Sequence, residues 1–457
     1  MSTAKSHTEH SSKAMVKSSG IVAAGVLCSR ALGFVRDVVL AHFMGTGLVA
    51  EAFFVAQRIP NLLRDLVGEG AANAAIVPVL SEYQQKRPKA EWQELINVVL
   101  CWGVIIIGGI TVLGVVLAPW IVRLIAPGFA DDAVKFQLTV DLTRIMFPYL
   151  ILIALTAFQV GILYSLQSFF APAFGPCLFN VAMILSAWLA CTLSWQLAYT
   201  LAVGVLVGGL WQFWAQWAAL KKKGITWQKP QTLNHEGARQ IGKLLVPRLW
   251  GGAVYQLNMF VDTFCASLAV IVGTGGIAAI YYAARIVQLP LGVFGYALAS
   301  VALPSLSKMA SAKDMASFQK TLLFSLRNLM MVLIPCAVVM VVCSHWIIYL
   351  IFQRGQFDAY STDITSQVLF YSALGLPFFG ASRILVSAFY ALQDTKTPVR
   401  VATICLVVNV ILNVALMFPL KIGGIALAST IAGVVNCLLL WQGLQHKGID
   451  LWTSKPK

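Results

Sequence analysis

Charge is what this sequence has least of. Only 11% of its 457 residues are Asp, Glu, Lys or Arg, under half of the roughly 25% that a soluble domain carries. With 59% hydrophobic residues and a mean hydropathy of +0.79, that scarcity excludes a soluble globular chain. Paired cysteine motifs are missing too. The nine cysteines stand singly, mostly inside apolar segments, as Cys101, Cys265 and Cys405 do. They read as small packing residues rather than metal ligands. No HExxH, GxxxxGK[ST], GxSxG or EF-hand pattern occurs, and the six histidines have no metal spacing. His42 and His345 read as interfacial, His235 as solvated and Asp131-Asp132 as a polar turn. Every loop is short, which leaves little room for the clustered acids or histidines of an enzyme acting on polyprenyl phosphates. The expectation is a transporter, not an enzyme.

What is abundant is the apolar run of about 20 residues, the length that crosses a hydrocarbon core about 30 Å thick. The alternating pattern of a transmembrane barrel is absent. Twelve spans are expected, at 17–41, 49–82, 94–125, 136–167, 174–194, 198–220, 240–270, 276–306, 321–351, 365–392, 399–418 and 423–444. Several are long enough to require tilt or bending, and Pro60 with Gly68 and Gly70 marks a bend in the second. The polar first residues run into a hydrophobic segment without a small-residue cleavage site, so the first helix is read as retained.

With the N-terminus cytoplasmic, the inside segments hold twenty-one lysines and arginines and the outside loops four. That asymmetry puts both termini inside. It also accounts for most of the +15 net charge, so no nucleic-acid partner is needed. Basic loops of this kind face membrane lipids. An internal repeat divides the chain. VPVLS at 77–81 matches LPSLS at 303–307, Tyr164-Ser-Leu-Gln matches Tyr390-Ala-Leu-Gln, and IVRLI at 121–125 matches IIYLI at 347–351, all at an offset of 226. Six spans per half make the repeat parallel. The expected layout is an N-terminal tail (1–16), an N-lobe (17–220), a basic cytoplasmic linker (221–239), a C-lobe (240–444) and a C-terminal tail (445–457). Two facing six-helix lobes suit alternating access.

Charges nevertheless enter the spans. Setting aside the basic residues counted with the flanking loops and tails, eight arginines lie in the spans (Arg30, Arg36, Arg58, Arg64, Arg144, Arg248, Arg285 and Arg383), with no lysine. The acids available are Asp37, Glu51, Asp65, Glu69, Asp262 and Asp141, too few to match them one for one. A charge facing lipid at the bilayer centre costs about 2.5–3.5 kcal/mol on insertion scales, so these side chains face protein or water. Residues seven apart share a helix face, which aligns Arg30 with Asp37, and Glu51 with Arg58 and Asp65. Structural ion pairs such as Glu51 with Arg58 are one reading. The other is a cation-lined path for an anionic cargo, because the guanidinium fork suits bidentate phosphate recognition.

The same residues carry a family resemblance. SRALGFVRD, AEAFFVAQRIPNLLRDLVGEGA and AAIVPVLSEY resemble the opening of the MurJ (MviN) lipid II flippases of the MOP exporter superfamily. YYAARIVQLPLGVFGYALASVALPSLSK and FPYLILIALTAFQVGILYSLQSFFAPAFGPCLFN are similar to later helices of that family, so the likeness spans about residues 20 to 440. The resemblance implies an all-α polytopic MOP-type fold around a central cationic cavity. It implies transport of lipid II, an undecaprenyl-diphosphate lipid, from the inner to the outer leaflet of a bacterial plasma membrane. The family's important arginines fall on Arg30, Arg36, Arg64 and Arg285, its acids on Asp37 and Glu51, and Ser29 on a cavity position; Arg58 joins them from the residue reading. Where the family commonly has acids around the arginine of its eighth helix, this sequence has Ala283-Ala284 and Gln288, leaving Arg285 with fewer acidic neighbours. Twelve spans are read where the family has fourteen, and the last two help form its groove for the lipid tail. The tail is then expected to stay in bilayer lipid, or the lineage lacks that module. Some members bind sodium, and Asp262, Asn409 and Asn413, with Ser429 or Thr430, supply oxygens of the kind a hard cation takes. Otherwise the asparagines serve as interhelical hydrogen-bond glue, with membrane potential as the competing energy source. The expected state is a monomer. Alternatives are a flippase for another polyprenyl-linked oligosaccharide, an exporter of the same superfamily, or a non-transporting scaffold.

Overall fold

The computed structural model describes the backbone over residues 2–68 and 71–449. Side chains are described over the same residues except 2–19, 59, 63–68, 71–74, 246–255 and 296–297. Among the described residues all regular structure is helical. The α-helices are α1 (Ser2–Met44), α2 (Leu48–Gly68), α3 (Ala71–Lys86), α4 (Lys89–Val116), α5 (Ala118–Ile125), α6 (Ala133–Met146), α7 (Tyr149–Ser165), α8 (Phe170–Thr192) and α9 (Leu197–Lys222). They continue as α10 (Glu236–Ser267), α11 (Ala269–Val272), α12 (Gly276–Pro290), α13 (Tyr296–Ser311), α14 (Met315–Val342), α15 (Ser344–Phe352), α16 (Ala359–Leu374), α17 (Leu376–Ala391) and α18 (Lys396–Gln445).

The long expected spans are broken helices, and the breaks have chemical causes. Pro148 separates α6 from α7, and α16 meets α17 at Gly375-Leu376-Pro377 with a 46° bend. Pro290 cannot donate its backbone hydrogen bond, and a π-helical turn (Leu291–Gly295) follows it before α13. Lys421, at φ 51 and ψ −130, kinks α18 between the expected spans 399–418 and 423–444. Pro60, by contrast, is accommodated within α2. By length and composition seven helices cross a membrane, or eight with the bent α16–α17 pair as one span, among the described residues. Helices α1, α2 and α10, which carry Arg30, Arg36, Asp37, Glu51, Arg58, Arg64, Asp65, Arg248 and Asp262, are not among these.

The 226-residue offset is written into the backbone. Helices α4 and α14 start at Lys89 and Met315, α5 and α15 at Ala118 and Ser344, and α8 and α18 at Phe170 and Lys396. Gln167 (φ 54) and Gln393 (φ 58) both adopt the left-handed conformation past α7 and α17. Each is followed by the six-to-one hydrogen bond of a Schellman turn: Ser168 N to Leu163 O at 2.8 Å, and Asp394 N to Phe389 O at 2.9 Å. In the second copy Asp394 also caps α18, accepting from the backbone N–H groups of Lys396 and Thr397 and from Lys447 Nζ at 2.8 Å. Lys447 first, and then Thr397, hold its carboxyl well below the usual carboxylate range.

Two compact units emerge, neither continuous in sequence. One comprises Met1–Leu40, Val55–Val122 and Val134–Gly252; the other comprises Ala41–Phe54, Arg123–Ala133 and Ala253–Lys457. In the first unit, Ile76 and Leu80 of α3, Leu95 and Ile96 of α4, Ile162 and Leu163 of α7, and Leu220 of α9 form a buried core. Small residues bring helices together. A Cβ on Gly25 of α1 would lie 2.6 Å from Ala173 Cβ on α8, and one on Gly204 of α9 would meet Ser186 of α8, the small-residue contacts typical of membrane helices. The linker runs as a strap on α4. Gln93 Nε2 donates to Thr226 O (2.8 Å), Trp102 Nε1 donates to Leu233 O (2.9 Å), and Glu94 accepts from Gln231 N (2.6 Å).

Candidate functional site

In the first unit the site is built around Arg36. Its Nε and Nη2 both donate to Asp37 Oδ1, at 3.0 and 2.7 Å, and its Nη1 donates to Asn180 Oδ1 at 3.0 Å. Neighbouring helix positions diverge by about 100°, so the arginine folds back along α1 to reach the adjacent carboxylate. Asn180 of α8 completes the clamp by donating Nδ2 to Ser29 O at 3.0 Å. The arginine side chain is 12% exposed and the aspartate 2%. A buried pair of this kind costs about 3–5 kcal/mol when one partner is deleted, because the other charge is stranded. The clamp therefore fixes a guanidinium in one orientation on α1. Ser29 is half-buried, Arg30 exposed and Arg58 half-buried. Helix α2 runs through Leu48–Gly68, so Glu51 and Arg58, both ahead of Pro60, keep their seven-residue register. Arg64, Asp65, Glu69 and Arg248 lie outside the described side chains.

In the second unit Glu51, 2% exposed, accepts from the backbone N–H of Ile277 at 3.2 Å. That nitrogen belongs to the first turn of α12, where a carboxylate satisfies an orphan donor and complements the helix dipole. The contact spans 226 residues, so an acid of the first repeat caps the corresponding position of the second. Around it, Thr46 and Ser361 hydroxyls are 2.8 Å apart, and Gln356 N donates to His42 O at 2.8 Å. One turn further along α2, Phe54 stacks on Tyr281 (centroids 3.9 Å apart, 20° between planes). Arg285 in turn lies over the Tyr281 ring at 4.6 Å, and its Nη2 donates to the Tyr281 hydroxyl at 2.9 Å. Gln288 accepts a longer bond from Nη1 at 3.4 Å. Arg285 is thus oriented by an aromatic neighbour and an amide.

The residues suited to a hard cation also come together. Asp262 of α10 accepts from Asn413 Nδ2 (2.8 Å) and Ser429 Oγ (2.9 Å), while Asn413 Nδ2 also reaches Asn409 Oδ1 (3.1 Å) and Asn409 Nδ2 reaches Ser429 Oγ (3.1 Å). Asn413 is fully buried and its Oδ1 has no hydrogen-bond partner. A carboxylate beside an orphaned amide oxygen fits sodium by donor chemistry. Thr430 turns away, donating to Tyr371 O at 2.8 Å.

Two participants escaped the sequence reading. Asn180 clamps Arg36, and its signal was an isolated amide in the apolar run FAPAFGPCLFNVAMILSAWLACT. Tyr281 seats Arg285, and a tyrosine in YYAARIV carries no signal that separates it from packing.

The fold defines the class first: a polytopic, all-helical membrane protein with the fold of the MOP superfamily transporters. A multidrug resistance MATE family transporter of that superfamily, in its inward-facing conformation, superposes with TM-score 0.75 at 14% identity, covering 92% of this chain and 95% of that one. A solved lipid II flippase MurJ in an inward closed conformation superposes with TM-score 0.81 at 28% identity, covering 93% and 87%. Among curated relatives, the "Lipid II flippase MurJ" of Burkholderia cenocepacia is 34% identical over 430 residues, 93% of this chain and 82% of its own length. The "Probable lipid II flippase MurJ" of Haemophilus influenzae is 36% identical over 442 residues, 94% and 86%. The family model described as "Lipid II flippase MurJ" matches residues 40–453, and the chain belongs to that family.

Proposed function

We propose that this protein moves lipid II from the inner to the outer leaflet of a bacterial plasma membrane by alternating access, as a monomer with both termini in the cytoplasm. The observation that carries the reading is the Arg36 clamp. A guanidinium on α1 held by Asp37 and Asn180 is preorganised for a diphosphate, and preorganised charge loses little on binding. Arg30, Arg58 and Arg64 are assigned as further cargo-binding cations of the first unit, with Ser29 as a polar group, and Arg285 takes the same role in the second unit. Arginine rather than lysine gives planar, bidentate contacts to the phosphoryl oxygens.

Asp262, Asn409, Asn413 and Ser429 would hold sodium, which would supply a positive charge to neutralise the Asp262 carboxylate. The test is rescue in cells whose own lipid II flippase can be switched off. Expression of the parent restores growth and outer-leaflet lipid II, whereas Arg36→Ala and Arg285→Ala at matched membrane abundance do not. Abundant, folded parent protein that fails to rescue would redirect the reading to another polyprenyl-linked cargo.

A further inference from the structure

Two nucleophilic side chains outside the arginine set meet where α1 crosses α8. Cys28 is exposed and Cys177 buried, and both sit on the stretch of α1 and α8 bracketed by the Gly25–Ala173 approach and the Asn180–Ser29 hydrogen bond. The two helices are in register around them. One turn before the pair, Gly25 approaches Ala173 so closely that an added Cβ would sit 2.6 Å from Ala173 Cβ. One residue past Cys28 and one turn past Cys177, Ser29 O accepts from Asn180 at 3.0 Å. A disulfide needs Cβ atoms about 3.8 Å apart, and one turn before the pair the helices approach closely enough for a Cβ on Gly25 to fall inside that distance of Ala173. The other cysteines give no comparable pair among the described residues.

We infer that Cys28 and Cys177 form a thiol–disulfide site through which a small-molecule disulfide clamps α1 to α8 beside the Arg36 network. The exposed Cys28, as thiolate, attacks one sulfur of the external disulfide, and the other sulfur leaves as a thiolate that takes up the proton. The Cys177 thiolate then attacks the Cys28 sulfur of the mixed disulfide, expelling the second external thiol, which takes the Cys177 proton. Two protein thiols are oxidised and one external disulfide is reduced to two thiols, so the exchange balances. The bond freezes the α1–α8 contact at Ser29. Any motion that re-aims Arg36 by sliding these helices stops until a thiol reductant reverses the exchange. The consequence for transport rests on the proposed function, whereas the chemistry does not.

The experiment uses the full chain in lipid nanodiscs treated with 2,2′-dithiodipyridine, quenched with N-ethylmaleimide and digested without reductant. The expected product is a Cys28–Cys177 linked peptide, absent from Cys28→Ser and Cys177→Ser proteins and lost on adding dithiothreitol. In proteoliposomes, lipid II transport by the oxidised parent is lost and returns with dithiothreitol, while Cys28→Ser transports after the same treatment. Recovery of Cys28 only as a mixed disulfide or unreacted would overturn the site. A linked protein that transports at the reduced rate would overturn its control of the helices. Because the linked peptide is read by mass alone, a failure of the transport assignment is told apart from a failure of the thiol site.

Discussion

Adding one negative charge to the Arg36 clamp tests whether that guanidinium serves the cargo or only the fold. Asn180→Asp keeps an oxygen acceptor 3.0 Å from Arg36 Nη1, so the arginine gains a second carboxylate and the fold loses little there. The cost is local: the Nδ2 donor to Ser29 O at 3.0 Å becomes an oxygen facing an oxygen, a loss of about 1 kcal/mol for one hydrogen bond. The Arg36–Asp37 pair is neutral, and the extra carboxylate makes the cluster −1. For a phosphate charge about 6–7 Å away at an effective dielectric of about 20, the added repulsion is about 2–3 kcal/mol. At 1.4 kcal/mol per tenfold, lipid II binding weakens about 30- to 150-fold. Asn180→Ser, which stays neutral while shortening the side chain, weakens binding far less. The assay is lipid II titration against purified protein in nanodiscs, with thermal unfolding to match folded fractions. An Asn180→Asp protein that is folded and binds lipid II like the parent would refute the assignment of Arg36 to the cargo.

Other consequences are as direct. Tyr281→Phe removes the hydroxyl that accepts from Arg285 Nη2 while keeping the stack on Phe54, so binding falls by about 1.5–3 kcal/mol for a charge-assisted bond, against a small change in melting temperature. Asp262→Asn abolishes any sodium-dependent rise in melting temperature, with potassium as the control cation; a parent that sodium does not stabilise would remove the cation site from the account. Gly25→Ala forces a methyl against Ala173 and lowers stability by about 1–3 kcal/mol, read by denaturation in detergent. Asp394 has a depressed carboxyl, so its contribution is fully present above the unfolded aspartate value near 3.9 and disappears as pH falls through the folded value. The melting-temperature gap between parent and Asp394→Asn is therefore widest near neutral pH and closes in acid.

Much of this architecture was legible because membrane physics writes it in composition. Spans follow from apolar length, and the break between 418 and 423 coincides with the kink at Lys421. The repeat read from Tyr-x-Leu-Gln reappears as two left-handed glutamines, Gln167 and Gln393. Intramembrane charge cost singled out Arg36 and Asp37, and the structure joins them. What stayed hidden depends on tertiary partners. Nothing in α2 announces that Glu51 caps α12, because a helix N-terminus recruits its acceptor from any distance in sequence. Nor does the pattern foretell that Ala41–Phe54 packs with the second compact unit, since hydropathy reports burial without naming the neighbour. Asn180 and Tyr281 were missed for the same reason.

The central claim is that an arginine site in this chain carries a diphosphate lipid across the bilayer. Proteoliposomes containing lipid II labelled on its peptide, with the outer-facing pool chemically quenched, measure that movement directly. The account predicts that quenching proceeds to completion with the parent and stops at the initially exposed fraction with folded Arg36→Ala. Equal rates for the two proteins, or no movement with a folded parent under an imposed sodium gradient and membrane potential, would contradict it.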